Sequence, residues 1–317
     1  MSDDRLYLFV IDVGLNTPNF MDAANAGRVL FANPNEHSRL RTLIKDQHLP
    51  DGIDVSLRTA RIFWGSMGMP NLPNGAVFSC GLDGTAVETI LPRGSVHTPK
   101  QLVVDDEGSK IYIADREGMK IIRCNLDGSQ LEVLVHTGDE SNSREKTDPT
   151  RWCVGVAISR PAGKLYWTQK GPSKGNQGRI FRANLDFLPG QTAKSRTDIE
   201  CLLQNLPEPI NLCVDEGGRS LYWTDRGELP LGNSINRLSL DAARPIKTES
   251  NVVSWPGRDY ELLVRNMHEA IGIKLDINRQ YIYATDLGGR IYRFNMDGGE
   301  EEIFYENEGS YAGITIV

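Results

Sequence analysis

The 317-residue sequence lacks long apolar segments, paired-cysteine motifs and any excess of basic charge. No apolar run approaches the roughly 18 residues that a membrane-spanning helix needs, so we expect no membrane partner. The formal net charge of −7 opposes sequence-independent binding to phosphate backbones, which argues against nucleic acid as a partner. A small molecule or another protein remains as the expected partner.

The five cysteines are scattered, and no CxxC or Cys/His cluster indicates a zinc site. Their odd number and apolar neighbours predict free thiols rather than disulfides. Residues 1–5 have neither the basic segment nor the apolar core of a signal peptide, so we expect a cytoplasmic protein. Phosphate-binding Gly-rich loops, G-x-S-x-G and HExxH are also missing, and we therefore expect no cofactor.

A five-residue motif recurs along the whole chain. Its last positions are 12, 66, 115, 169, 225 and 286, so successive copies are 54, 49, 54, 56 and 61 residues apart. The copies are LFVID at 8–12, IFWGS at 62–66, IYIAD at 111–115, LYWTQ at 165–169, LYWTD at 221–225 and IYATD at 282–286.

Each motif copy lies between two further strand patterns. An apolar stretch such as QLVVD at 101–105 precedes it, and a stretch such as IIRCNLDG at 121–128 follows it. Asp-Gly between apolar runs predicts a tight hairpin, because glycine tolerates the positive φ of such turns. A fourth apolar stretch completes a four-stranded antiparallel meander. Six meanders bury their faces by packing radially, which predicts an all-β, six-bladed propeller.

The two ends of the chain predict how the ring closes. The first motif copy has no apolar stretch before it that could form an innermost strand. The last residues, YAGITIV at 311–317, match the innermost strands of other blades and have no blade of their own. We therefore expect the C-terminal strand to complete the N-terminal blade, with residues 1–317 forming a single domain.

With these motifs the chain resembles the YWTD family of six-bladed β-propellers, along nearly its whole length. The resemblance implies that the repeated aromatic, Thr and Asp residues pack and connect the blades rather than act on a ligand. Gln169 and Ser66 stand where the motif has Asp, and both precede long loops. These two turns are therefore candidates for functional divergence.

Propellers bind ligands at the mouth of the axial channel, where the innermost strands begin, and the resemblance implies such a site here. The loops 14–27, 66–74, 170–178 and 226–234 are long, apolar and rich in amides, which favours a largely apolar or aromatic small molecule. The candidate catalytic residues are Lys100, Asn211 and His268. The candidate substrate-binding residues are Asp51, Met67, Gln101, Trp152, Gln169, Glu269 and Tyr311.

Each candidate has a structural alternative. His268 could only bond a neighbouring loop, and Trp152 could belong to the core. Lys100 and Glu269 could be solvated, or could form an ion pair across the channel that perturbs both pKa values.

A propeller without receptor modules is similar to the fungal hetero-Diels–Alderases of secondary metabolism, which join a quinone methide to a terpene alkene. The resemblance implies an enzyme without a cofactor, in which proximity and hydrogen-bond donors suffice. In such an enzyme Trp152 and Tyr311 would stack on the substrate. Lys100, Gln101, Asn211 or His268 would bond its oxygen.

Two other function classes remain open. A metal-dependent lactonase or esterase would hold Ca²⁺ with Asp51, Asn211 and Glu269, but Lys100 and His268 oppose a cation there. A protein-binding scaffold would present a broad apolar patch instead of a pocket.

Overall fold

A computed structural model describes residues 6–17, 19–34, 39–69, 72–246, 260–307 and 309–317. The helical elements include α1 (Phe20–Ala23), α2 (Ser143–Lys146) and a 3₁₀ turn (Pro149–Arg151). The strands are β1 Leu8–Asp12, β2 Gly27–Ala32, β3 Arg41–Gln47, β4 Pro50–Ser56, β5 Arg61–Ser66, β6 Gly75–Gly81, β7 Glu88–Val96, β8 Pro99–Asp105, β9 Lys110–Asp115, β10 Lys120–Asn125, β11 Glu132–His136, β12 Cys153–Ser159, β13 Lys164–Gln169, β14 Gly178–Asn184, β15 Glu200–Leu206, β16 Pro209–Asp215, β17 Ser220–Asp225, β18 Ser234–Ser239, β19 Glu261–Val264, β20 Ala270–Asp276, β21 Tyr281–Asp286, β22 Arg290–Asn295, β23 Glu302–Glu306 and β24 Tyr311–Ile316.

The strands form six antiparallel sheets of four, which confirms the predicted all-β, six-bladed propeller. Blade one has the order β24-β1-β2-β3, and blades two to six are β4–β7, β8–β11, β12–β15, β16–β19 and β20–β23. The innermost strands β24, β4, β8, β12, β16 and β20 contact one another in a closed ring around the axis. The motif forms the second strand of every blade.

The ring closes as predicted, because the last strand completes the first blade. Leu8 pairs with Ile316, and Phe9 pairs with Thr315. Beyond the paired strands, the backbones of Tyr7 and Val317 exchange two hydrogen bonds of 2.9 and 3.0 Å.

The motif residues hold the blades together. The Trp223 side chain is fully buried. The Thr224 hydroxyl donates to the Ile271 carbonyl of the next blade at 2.6 Å. Asp225 Oδ1 accepts the backbone N–H groups of Glu208 and Gly227, both at 2.9 Å. The motif thus fixes the segment that leads into the innermost strand, as well as the turn after its own strand.

Neighbouring innermost strands approach each other closely near the axis. A Cβ atom on Gly272 would lie 2.2 Å from the Ala312 carbonyl oxygen, and one on Gly155 would lie 2.2 Å from the Ile210 carbonyl oxygen. Only glycine permits this approach. It brings the first residues of the innermost strands into contact around the axis.

Candidate functional site at the axial mouth

The axial mouth is the opening of the ring where the innermost strands begin. Its floor consists of the second residue of each of these strands. Four of them, Val154, Ile210, Ile271 and Ala312, are buried in one hydrophobic cluster. These four residues, here called the axial plug, fill the channel at this end. Asp51 and Lys100 occupy the same position in blades two and three.

Asp51 and Lys100 form an ion pair beside the axial plug. Lys100 Nζ donates to Asp51 Oδ2 and lies 3.3 Å from Met67 Sδ, while Gln101 Nε2 donates to Asp51 Oδ1 at 2.6 Å. Burial lowers the pKa of Lys100, Asp51 opposes this shift, and the cations of Arg116 and Arg226 add to it. Lys100 is therefore a largely buried amino group whose Nζ donates to Asp51 and lies against Met67.

The wall of the mouth is formed by the residue that follows each motif copy. The backbone N–H of each of these residues donates to the carbonyl just before an innermost strand. Examples are the Lys170 N–H to the Trp152 carbonyl at 3.3 Å and the Arg226 N–H to the Glu208 carbonyl at 2.9 Å. Blades three, four and five contribute charged residues, whereas blades six, one and two contribute apolar ones. The six residues are Arg116, Lys170, Arg226, Leu287, Val13 and Met67.

Carboxylates and one aromatic ring organise the charged half of the wall. Glu208 Oε1 accepts Lys170 Nζ at 2.7 Å and Arg226 Nη2 at 2.6 Å. Burial acts to raise the pKa of Glu208, but Arg226 and Lys170 hold it below its usual value. The Trp152 ring lies 5.5 Å from the Arg116 guanidinium carbon and 5.8 Å from Lys170 Nζ, within the range of cation–π attraction.

Every cation of this half is paired with a carboxylate. Lys100 pairs with Asp51, Arg116 with Glu117, and both Lys170 and Arg226 with Glu208. The buried carboxylate of Asp225 lies within electrostatic range of Arg226 and Glu208, and burial raises its pKa to about 7. The mouth thus offers hydrogen-bond donors on one side and apolar surface on the other.

A separate cavity of about 170 Å³ lies deeper in the axial channel and is lined by all six innermost strands. Its lining is mostly aliphatic, with one ion pair in which Lys274 Nζ donates to Asp54 Oδ1 at 2.5 Å. Thr315 Oγ1 donates to the same oxygen at 2.8 Å. Because the axial plug lies above it, this cavity faces the opposite end of the channel.

No protein-family model matches the sequence. A Pyricularia oryzae protein named low-density lipoprotein receptor-related protein 1 is 39% identical over 318 residues, which cover 99% of this chain and 98% of that protein. The chain belongs to the family of this fungal protein. The 3-hydroxyacyl-CoA dehydrogenase-like protein LAM1 of Cochliobolus heterostrophus is 43% identical over 312 residues, and this chain spans 98% of its own length but 64% of LAM1.

Solved structures confirm the YWTD-type fold. A chain in the crystal structure of a nidogen/laminin complex matches with a TM-score of 0.70 and 18% identity, over 98% of both chains. At this identity the similarity describes the fold only. No helix among the described residues is long and apolar enough to cross a bilayer.

Five of the ten predicted site residues lie at the axial mouth. They are Asp51, Lys100, Gln101, Met67 and Trp152. Their proposed roles remain predictions.

His268 and Glu269 lie on the exposed rim. The His268 N–H donates to Asp286 Oδ2 at 3.1 Å, and its ring lies against Gly288. The Glu269 N–H donates to Asn233 Oδ1 at 2.7 Å. With Glu269 on the rim and Asp51 engaged by Lys100, the predicted calcium ligands do not converge. Among the described residues, no three His, Cys, Asp or Glu side chains are grouped as a metal site would need.

Three predicted site residues lie away from the axial mouth. Tyr311 is fully buried in a cluster with Leu8 of blade one and Tyr283 of blade six, so its side chain packs between these blades and not in the mouth. Asn211 Oδ1 accepts the N–H of Leu212 at 2.8 Å, and the residue lines the deeper cavity. Gln169 Oε1 accepts Nη2 of Arg179 within blade four, beside a cavity that residues of blades three and four line.

Four charged residues of the mouth were not predicted from the sequence, namely Arg116, Lys170, Arg226 and Glu208. A signal for three of them was present, because each directly follows a motif copy in three consecutive blades. Aligning the position after the motif, as well as the motif itself, would have found these cations.

Proposed function

We propose that this protein is a cofactor-independent enzyme of secondary metabolism that catalyses a hetero-Diels–Alder cycloaddition at the axial mouth. The expected substrates are a quinone-methide-type heterodiene and a terpene alkene. The observation that carries the proposal is the division of the mouth into a cationic half and an apolar half. A heterodiene carries its oxygen at one end, and the alkene is hydrocarbon throughout, so the two partners match the two halves.

The reaction asks little of the protein beyond binding and polarisation. One carbon–carbon and one carbon–oxygen bond form from the π electrons of the two partners, and no atom leaves. Hydrogen bonds from Lys100 and Arg116 to the heterodiene oxygen would draw electron density from the diene. The lowered pKa of Lys100 makes its ammonium group a stronger donor. Trp152 offers a flat face for the aromatic partner, while Met67 and Leu287 would hold the alkene close to it.

The relatives support a propeller scaffold and leave the reaction open. The name of LAM1 refers to a dehydrogenase, but this chain has no Gly-rich dinucleotide motif and spans only 64% of LAM1. The receptor-related name of the Pyricularia protein favours a protein-binding scaffold as the second candidate. The exposed Leu229 on the rim loop would suit such a surface.

The test is a cycloaddition assay with an o-quinone methide generated in situ and a terpene alkene, with product formation and enantiomeric excess measured. Lys100→Ala and Trp152→Ala should each lower the rate by about tenfold or more, about 1.4 kcal/mol. Asn211→Ala and His268→Ala should change it less, because neither side chain enters the mouth. Arg182→Gln is the matched control, since Arg182 pairs with Glu200 on the outer part of blade four.

Racemic product at the uncatalysed rate would refute the proposal. Activity lost in EDTA and restored by calcium would instead favour the lactonase. Protein capture that depends on Leu229 but not on Lys100 would favour the scaffold.

A further inference from the structure

A second cavity lies between blades three and four, away from the axial mouth. It has a volume of about 350 Å³, and here it is called the interblade cavity. Residues of both blades line it, among them Val135, Thr137, Trp167, Gln169, Arg179 and Phe181. Gln169 is one of the two positions where the motif departs from Asp.

At the equivalent place between blades one and two, a glutamine side chain bonds the tryptophan of the motif. Trp64 Nε1 in blade two donates to Gln47 Oε1 at 2.9 Å, and Gln47 lies opposite Gly27 at the end of the outermost strand of blade one. Thr137 holds the matching position in blade three, where its N–H donates to the Met119 carbonyl at 2.9 Å.

The shorter Thr137 leaves the indole of blade four without a partner. Its hydroxyl donates to the Arg151 carbonyl at 2.5 Å and so is turned away from Trp167. Trp167 is 1% exposed, and its Nε1 has no hydrogen-bond partner among the described residues. Trp223 Nε1 is also unpartnered, but Leu206 and the Tyr260 ring pack around Trp223. Only at Trp167 does an unpartnered indole line one of the cavities described above.

Arg179 supplies a cation to the same cavity. Its Nη2 donates to the Thr150 carbonyl at 2.6 Å and to Gln169 Oε1 at 2.8 Å, and its guanidinium lies 5.1 Å from the centre of the Phe181 ring. No carboxylate in the described part of the chain lies within ion-pair distance of Arg179. Burial lowers the pKa of this guanidinium. Charge compensation by a bound anion would offset this desolvation.

The departure from the motif explains why Arg179 lacks a carboxylate. An Asp at position 169 would place a negative charge beside the guanidinium, whereas Gln169 is neutral. The carboxylate that lines the cavity, Asp148, pairs with Arg151 and acts on Arg179 only from beyond ion-pair distance. The Trp167 and Phe181 rings are stacked, with centroids 5.3 Å apart and planes 13° apart, and Val135 adds aliphatic surface. The cavity therefore combines apolar walls, the unpartnered indole of Trp167 and two cations, Arg151 and Arg179, against one carboxylate, Asp148.

We propose that the interblade cavity binds a small carboxylate with a flat apolar group, held by Arg179 and by Trp167 Nε1. The site is independent of the proposed reaction at the axial mouth. Two substitutions should close it from opposite sides. Gln169→Glu pairs Arg179 internally, and Thr137→Gln supplies the amide that Gln47 gives to Trp64.

The probe is phenylacetate, with binding to the full chain measured by calorimetry and benzyl alcohol as the neutral analogue. We expect phenylacetate but not the alcohol to bind, and Gln169→Glu and Thr137→Gln each to weaken binding by about tenfold or more. Trp167→Phe should weaken it by a smaller factor, and the matched variant Trp223→Phe should leave it unchanged. Arg179→Gln should lose binding as well, and it decides the question if Gln169→Glu does not fold.

Three results would overturn the proposal. The first is no binding of phenylacetate to the wild-type protein up to about 10 mM, a free energy of less than about 3 kcal/mol. The second is equal binding of benzyl alcohol. The third is binding that survives in Gln169→Glu and Arg179→Gln but is lost in Lys100→Ala, which would place the anion at the axial mouth instead.

Discussion

Replacing Glu208 with Gln tests whether the charged half of the axial mouth is held together by one buried carboxylate. Glu208 is 2% exposed, and its Oε1 receives Lys170, Arg226 and the Ser173 hydroxyl, the last at 3.1 Å. Removing one partner of a buried ion pair typically costs about 3–5 kcal/mol, because an uncompensated charge is left behind. Glutamine keeps one carbonyl acceptor and Arg226 is partly solvated, so we expect a loss of about 3 kcal/mol.

The loss is measured as the free energy of unfolding in urea. Glu261→Gln is the matched control, because Glu261 pairs with Arg237 at 2.6 Å but its side chain is 65% exposed. That exposed pair should cost at most about 1 kcal/mol. Adding Lys170→Gln to Glu208→Gln should recover part of the loss, since it removes one of the stranded cations. If Glu208→Gln were no more destabilising than the Glu261 control, the Glu208 carboxylate would not be what holds the charged half together.

Three further predictions concern the frame. Gly272→Ala should destabilise the protein by about 1–3 kcal/mol in urea unfolding, because its Cβ would meet the Ala312 carbonyl; wild-type stability would contradict the close approach. Trp223→Ala should cost about 3–5 kcal/mol, as for other buried aromatic residues, without altering ligand preference; a stable but inactive variant would show that the motif has a functional role. Hydrogen bonds from Arg196 lower the pKa of Asp198 to about 2. The stability that this carboxylate contributes should be complete above the usual aspartate pKa and disappear as the pH falls from about 4 towards 2, whereas Asp198→Asn should show a smaller acid-induced loss over the same range.

The sequence was sufficient to predict the blades because each blade depends on local patterns that recur. In blade three, one strand separates the motif at 111–115 from the Asp-Gly turn at 127–128. This short spacing is enough to predict that neighbouring strands pair as hairpins, whatever the rest of the chain does. Closure was predictable for the same reason. The final strand has the pattern of an innermost strand, and the N-terminal blade is the blade that lacks one in its own stretch of sequence.

The site was only partly predictable because side-chain direction depends on the register of each strand with its neighbour. Tyr311 and Ala312 are adjacent on β24, yet only Ala312 enters the axial plug. A residue list drawn from the starts of the strands includes both. Bulges near the start of every innermost strand make simple alternation unreliable there, as between Ala270 and Ile273.

The positions that carry the site are held by bonds of the frame. Asp225 accepts the backbone N–H of Glu208, and the Glu208 carbonyl accepts the backbone N–H of Arg226. The backbones of both members of the Glu208–Arg226 ion pair are therefore fixed next to the motif residue Asp225. The side chains of Glu208 and Arg226 are then free to meet in the mouth. Where the motif lacks its Asp, at Gln169, the segment before β12 is held differently, with the Trp152 N–H bonding the Pro149 carbonyl of the 3₁₀ turn. In blade one the motif Asp12 both accepts backbone N–H groups and pairs with the facing Arg28. In blade four Gln169 bonds the facing Arg179 without a negative charge, while the 3₁₀ turn holds the segment before β12.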